Sequence, residues 1–334
     1  MQSSFRTAVH EESQVGEARR AIKELCTRLG GNATFSGRAS LIGTELARNL
    51  VLHGGGGEIV FRELANAQQA GLEILALDRG SGMRNVAECL RDGYSTAGTP
   101  GTGLGAVRRL ADIFELSTTE GRGTAICTRL FQRPEQIEKS PRRVGAVSVA
   151  LQGEEFCGDS WAVLENTNGL RILVADGLGH GAFAADASRE AVAVFRAHPH
   201  RPVGEVLQFV HQALIKTRGA AAAIAEIHVA GRKVTMAGAG NISVRIFDGE
   251  GRSRQMASAN GTLGAALPRI QEFTTPWTAD SLLFLHSDGL SADWQPDVYP
   301  GLLARHPAVI AGVLYRDFAR VRDDATVVVA SCPQ

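Results

Sequence analysis

A chain of 334 residues with 35 basic and 35 acidic side chains has no formal net charge, and its 44% hydrophobic and 21% charged content is that of a globular protein. No run of Lys or Arg supplies the local excess that counterion-driven binding needs, which argues against nucleic-acid and membrane-surface partners. Cys26, Cys89, Cys127, Cys157 and Cys332 are odd in number and lack Cys-x-x-Cys spacing, so neither a disulfide framework nor a zinc site is indicated.

In chain order, an alternating start over 5–10 precedes a helix over 17–29, where Ala18, Ala21, Ile22, Leu25 and Leu29 share one stripe. A second helix over 36–52 stops at Gly54-Gly55-Gly56-Gly57. Strands at 58–64 and 72–77, a glycine-rich stretch over 80–105, a short helix over 104–113 and strands at 114–118 and 124–131 complete the first half. Helices on one face of a mainly antiparallel sheet fit this order. The polar segment over 132–143, with two prolines, reads as a linker between domains at 1–131 and 144–334. Beyond it, short strands are expected at 146–151, 161–164, 170–175, 222–229, 233–239, 243–247, 281–286 and 326–330. Helices over 182–197, 203–217 and 302–319 interrupt them, which suggests two packed sheets with helices outside. The N-terminus lacks the apolar core of a signal peptide and no stretch reaches the roughly 18 apolar residues of a membrane span, so a cytoplasmic location is expected.

The 38 glycines exceed the roughly 7% average, and their placement points to chemistry. Glu45 and Asn49, four residues apart on the second helix, share one face and can present a carboxylate base and a carbonyl ligand. Asp78 ends a strand and is followed by Gly80 and Gly82, which let backbone approach a ligand. Gly101-Thr102-Gly103-Leu104-Gly105 opens a helix whose free N–H groups could receive phosphate. Each feature alone has a plain alternative, a solvated pair or a tight turn. Their order over some sixty residues resembles the ATP-binding signature of the gyrase, histidine-kinase and MutL (GHKL) superfamily. TELARN (Thr44–Asn49) and RDGYST (Arg91–Thr96) are similar to the RsbT-type serine kinases of anti-sigma and stressosome systems. The resemblance implies a GHKL-type α/β sandwich binding ATP with Mg²⁺. Asn49 would hold the ion, Glu45 would orient or deprotonate the attacking hydroxyl, and Asp78 would bond the adenine amine. Gly80 and Gly82 would shape the adenine pocket, and the segment Gly101, Thr102, Gly103, Leu104 and Gly105 would form a lid that Pro100 stiffens.

In the second half, acidic residues recur at the ends of apolar runs: Asp159, Asp176, Asp288 and the Asp323-Asp324 pair. Hard oxygen ligands gathered at strand ends suit Mg²⁺ or Mn²⁺ rather than zinc. For any one Asp-Gly the plain reading is a turn after a strand. VADGLGHG, RDDATVVVA and Gly238-Ala239-Gly240-Asn241-Ile242 resemble the metal-dependent phosphatase (PPM) family in its SpoIIE/RsbX branch. This implies an α-β-β-α sandwich with two Mn²⁺ or Mg²⁺ ions. Asp176 would bridge them, Gly177 would give a carbonyl, Asp288 and Asp323 would complete the second ion's shell, and Asp159 would hold metal-bound water. Asp324 replaces Asp323 if the register slips by one, and water or His180 is the candidate leaving-group acid. Trp161, Trp277, Trp294, His198 and His200 read as structural.

The α+β chain is therefore expected to be a bifunctional partner-switching regulator, a serine/threonine phosphatase and ATP-dependent kinase acting on STAS-type anti-sigma antagonists or stressosome proteins. Two alternatives stand beside this: a phosphatase whose GHKL domain senses nucleotide or docks a partner, and a non-enzymatic anti-sigma protein. A sigma factor or another phosphatase as partner, and a homodimer, are left open.

Overall fold

The computed structural model describes residues 4–65, 69–91, 103–136, 143–265 and 269–332. RDGYST beyond Arg91, Pro100, Gly101, Thr102 and half of the expected linker lie outside these residues. Among the described residues every strand pair within a sheet is antiparallel. The chain divides into two compact units, and the division is not linear. One unit runs from Ser4 through the first half and adds Asp297–Arg316; the other continues to Pro296 and resumes at Asp317.

In the first unit, β1 (Ser4–Val9) leads to α1 (Glu12–Arg28) and α2 (Ala33–Leu52). Then come β2 (Gly57–Ala65), β3 (Ala70–Asp78), the single turn α3 (Val86–Cys89), α4 (Gly103–Leu110), β4 (Ile113–Thr119) and β5 (Gly123–Phe131). The sheet order is β1-β2-β3-β5-β4. Both long helices begin earlier than their apolar stripes indicate, because polar caps set their starts. The Gln14 side chain accepts from the His10 and Glu11 N–H groups, and Asn32 Oδ1 accepts from Phe35 N–H at 2.8 Å. Ile22, Phe35, Ile42, Leu46 and Leu50 pack with Ile59, Phe61, Ile74, Ala76 and Ile126 into one core.

Strand alternation puts Glu58, Arg62, Glu73 and Leu75 on the opposite face of this sheet. There Arg62 and Arg129 both pair with Glu73, at 2.8 and 2.7 Å, in a buried network. Arg129 also meets His306, and Tyr315 O–H donates to Glu58 while accepting from Arg6. His306 and Tyr315 come from the far C-terminal part of the sequence, the latter from α7 (Pro307–Phe318). The sequence boundary at 144–334 gives this segment to the second domain; its contacts through Arg316 group it with the first unit.

The second unit holds two five-stranded sheets. One is ordered β13-β10-β9-β8-β7 and the other β12-β11-β14-β15-β6. Their strands are β6 (Arg143–Val149), β7 (Asp159–Asn166), β8 (Gly169–Gly177), β9 (Ala220–His228), β10 (Lys233–Ala239), β11 (Ser243–Phe247), β12 (Ser253–Met256), β13 (Phe273–Pro276), β14 (Leu282–His286) and β15 (Ala325–Ser331). Trp161, Ile172, Val174, Met236, Val244, Leu285 and Val328 fill the space between the sheets. The helices α5 (Ala182–Ala197) and α6 (Val203–Leu214) cover the first sheet through Phe195, Val206, Leu207 and Val210. Edge strands β12 and β13 have no sequence counterpart in the expected elements: each is four residues long and mostly exposed. Trp161, Trp277 and Trp294 are buried, in keeping with a structural role, and His198 stacks on Phe209 with its Nδ1 2.9 Å from the Val194 carbonyl.

Candidate functional site

Glu45 and Asn49 on α2, Asp78 at the end of β3, Gly82, and Gly103 and Leu104 at the start of α4 line one cavity of about 990 Å³ in the first unit. Its apolar wall includes Leu46, Met83 and Ile126. Asp78 Oδ1 accepts from the N–H of Gly80 at 2.8 Å and of Thr124 at 3.1 Å. Gly80 thus fixes the carboxylate rather than forming the wall, while Gly105 is buried within α4. Burial pushes the Asp78 carboxyl above the ordinary carboxylate range, opposed by those two N–H groups, Arg316 and His53. The close fit depends on Gly123, whose φ is +86° and where a Cβ would stand 2.0 Å from the Asp78 carbonyl oxygen. The Asn49 amide nitrogen is buried without a hydrogen-bond partner, the condition of a polar group awaiting a ligand. Glu45 lies 3.8 Å from Arg48.

Two residues of this site had little or no local signal. Thr124 is an ordinary strand residue that matters through its backbone. Arg316 donates to the Asp78 carbonyl at 2.9 Å from 238 residues away, and Arg79 donates in turn to the Arg316 carbonyl.

The second unit gathers its carboxylates at adjoining strand ends. Asp159 and Asp176 are direct partners in the β7–β8 register. Asp288 follows β14 and Asp323 precedes β15, close enough that the Asp288 carboxylate raises both Asp176 and Asp323 by repulsion, after burial. Ser287 ties the two sheets together here: its hydroxyl donates to Asp159 Oδ2 at 2.7 Å and accepts from Thr326 N–H at 3.1 Å. Asn241 donates to Asp288 Oδ2 at 2.5 Å, which gives the Gly-Ala-Gly-Asn segment a specific task. Gly177 lies so close to α5 that a Cβ would stand 2.0 Å from the Ala184 carbonyl oxygen.

Burial raises the Asp176 carboxyl strongly, and Asp159, Asp288 and Asp323 raise it further by repulsion. Asp159 is also raised, by burial first and by Asp324 and Asp323, against hydrogen bonds from Ser287 and Thr326. Its Oδ1 is buried and unpartnered. Among the described residues no three His, Cys, Asp or Glu side chains close into a ready cage. The donor set nonetheless fits Mg²⁺ or Mn²⁺, which take oxygen ligands and keep several waters. Mutual repulsion among buried and half-buried carboxylates is the cost that bound cations remove.

The structure separates Asp323 from Asp324. Both Asp324 oxygens are engaged by backbone, from Leu151 N–H at 2.8 Å and Gly158 N–H at 3.0 Å, so this residue clamps the loop ahead of Asp159. Asp323 faces Asp288. His180 Nδ1 lies 2.6 Å from Glu154 Oε1, a partner with no distinguishing sequence context.

A family model described as Stage II sporulation protein E (SpoIIE) matches residues 166–333, half of the chain. The chain belongs to the SpoIIE family. A histidine kinase-like ATPase domain model matches residues 8–130. The serine/threonine-protein kinase RsbT of Bacillus subtilis (strain 168) is 36% identical over 115 residues, covering 34% of this chain and 86% of that protein, so the first unit belongs to its family. The phosphoserine phosphatase RsbX of the same organism is 27% identical over 147 residues, covering 44% of this chain and 72% of RsbX. A solved chain from work titled "The bacterial stressosome: a modular system that has been adapted to control secondary messenger signaling" aligns with TM-score 0.53 and 28% identity, over 57% of this chain and 98% of its own.

This SpoIIE-family member therefore joins an RsbT-related, histidine kinase-like ATPase domain to a PPM-type serine/threonine phosphatase domain, an arrangement of partner-switching regulation. Such domains work with ATP and divalent metal. No helix among the described residues is long and apolar enough to cross a membrane.

Proposed function

We propose that the chain is a bifunctional regulator, an ATP-dependent serine/threonine kinase and an opposing phosphatase acting on a STAS-type anti-sigma antagonist or stressosome protein. The observation that carries the kinase half is the convergence of Glu45, Asn49 and Asp78 on one cavity. Asn49 would hold Mg²⁺ on the ATP phosphates, Asp78 would accept from the adenine amine, and Glu45 would orient the attacking hydroxyl. Phosphoryl transfer asks mainly for such positioning and charge neutralisation.

In the phosphatase half, Asp176, the Gly177 carbonyl, Asp288 and Asp323 would hold two Mn²⁺ or Mg²⁺ ions, and Asp159 would orient water. Bound divalent cations supply a lowered water pKa and charge compensation at phosphorus. The chain's own contribution is orientation: Ser287 fixes Asp159 and Asn241 fixes Asp288.

The test is a pair of assays on one phosphoacceptor. Labelled γ-phosphate should pass to a STAS-domain protein and Asn49→Ala should abolish transfer; Mn²⁺-dependent release should be lost in Asp176→Asn. Nucleotide binding without transfer would favour a sensing domain.

A further inference from the structure

The loop that follows the bridging carboxylate leaves apolar surface in solvent. Leu178 comes directly after Asp176-Gly177 and is 45% exposed; Phe183, at the start of α5, is 67% exposed and Ile215, at the end of α6, 54%. This rim is held in place by backbone. Leu178 N–H donates to the Gly219 carbonyl at 3.0 Å, Gly219 N–H donates to Thr217 Oγ1 at 3.0 Å, and Ala220 and Leu263 exchange two bonds at 3.0 and 2.9 Å.

Arg218 sits at the centre of the rim. Its guanidinium carbon lies 5.1 Å from the Phe183 ring centroid, and its Nη1 is 3.1 Å from where a Cβ on Gly179 would stand. The cation is therefore within two residues of the Gly177 carbonyl. Among the described residues no carboxylate forms an ion pair with Arg218, although the carboxylate-rich centre adjoins its loop. A guanidinium stacked on an exposed ring keeps its N–H donors available at a modest cost in solvation.

We infer that Leu178, Phe183 and Arg218 are the specificity rim of the phosphatase. They would receive the protein segment around the phosphoserine or phosphothreonine, with an apolar neighbour on Leu178 and Phe183 and an acidic neighbour on Arg218. The inference rests on the phosphatase reading of the adjoining carboxylates and adds what surrounds the phosphate. Continuity of the rim with that loop argues for a substrate segment as the occupant. The available cation argues for an acidic one. A small aryl phosphate reaches the carboxylate centre without touching the rim, so the two kinds of substrate separate the rim from the chemistry.

The experiment uses the full chain with Mn²⁺, p-nitrophenyl phosphate and two phosphoserine peptides, one with Leu and Glu beside the phosphoserine and one with Ser and Lys. The wild type should prefer the Leu/Glu peptide by about tenfold in kcat/KM. Phe183→Ala and Arg218→Gln should lose most of this preference, and Arg218→Glu should reverse it. All three should keep p-nitrophenyl phosphate turnover within about twofold, and unchanged melting would show that they fold. Equal rates on the two peptides, or a preference untouched by the substitutions, would overturn the inference. So would a parallel loss of p-nitrophenyl phosphate activity. Absence of any turnover by the wild type would instead remove the phosphatase reading, and the rim assignment with it.

Discussion

Asp78→Asn isolates the proposed adenine contact. In the wild type, Oδ1 is occupied by the Gly80 and Thr124 N–H groups at 2.8 and 3.1 Å, which leaves Oδ2 to accept from a ligand amine. An asparagine that keeps its oxygen on those two N–H groups turns an NH₂ toward the ligand, donor against donor. Flipped, it serves the ligand but faces two backbone donors with a third. Either way a buried, charge-assisted hydrogen bond is exchanged for an unsatisfied group, costing about 2–4 kcal/mol. That is roughly 30- to 700-fold in ATP affinity. Titration calorimetry with a non-hydrolysable ATP analogue and Mg²⁺ reads it directly, and p-nitrophenyl phosphate turnover should stay unchanged. An affinity within threefold of wild type would refute the assignment of Asp78 and with it the orientation of nucleotide in the cavity.

Asp176→Asn should reduce Mn²⁺-dependent phosphate release by more than about 100-fold, yet raise the melting temperature in EDTA, because it removes one of several mutually repelling carboxylates. Arg62→Met should destabilise the first unit by about 3–5 kcal/mol in chemical denaturation, since it strips a partner from the fully buried Glu73. Burial opposes ionisation of Glu73, but Arg62 and Arg129 outweigh it and pull its pKa from 4.5 to about 2. A depressed carboxyl contributes stability that is present above its unfolded pKa and lost as pH falls through the folded one. Stability should therefore drop between about pH 4.5 and 2, and Glu73→Gln should flatten that stretch of the pH profile. Arg316→Met removes the donor to the Asp78 carbonyl; ATP affinity should fall by about tenfold, roughly one hydrogen bond, while isolated metal-dependent turnover on p-nitrophenyl phosphate persists.

The sequence carried the first unit's site well where side chains recur at fixed spacing on one element. Glu45 and Asn49 needed only a helix to share a face, and Asp78 only a strand to end where it does. What stayed hidden was whatever depends on chain crossing. The helix over Pro307–Phe318 has the apolar pattern of a core helix, but nothing in that pattern says which sheet it covers. Glu58, Arg62 and Glu73 look like the solvated face of two edge-to-centre strands, and they become a buried network only because Tyr315 and His306 lie over them. Short edge strands such as Phe273–Pro276 were illegible for a different reason: four mostly exposed residues carry no period to read.

The Asp323-Asp324 pair shows how the same limit acts within a motif. Two adjacent carboxylates at the mouth of a strand cannot both point to the same side, since successive side chains alternate faces. Spacing therefore demands that one face the carboxylate centre and leaves undecided which. The loop ahead of Asp159 decides it: Leu151 and Gly158 present two N–H groups that Asp324 alone takes up, at 2.8 and 3.0 Å. With Asp324 committed to backbone, Asp323 is turned toward Asp288. The roles then separate by chemistry. Asp324→Asn keeps one strong acceptor and should cost mainly stability, because an amide now meets a backbone donor. Asp323→Asn leaves the loop intact and should cost metal affinity, read as a higher Mn²⁺ concentration for half-maximal turnover with no loss of melting temperature in EDTA. If the two substitutions exchanged these effects, the register of β15 against the loop would be the wrong way round.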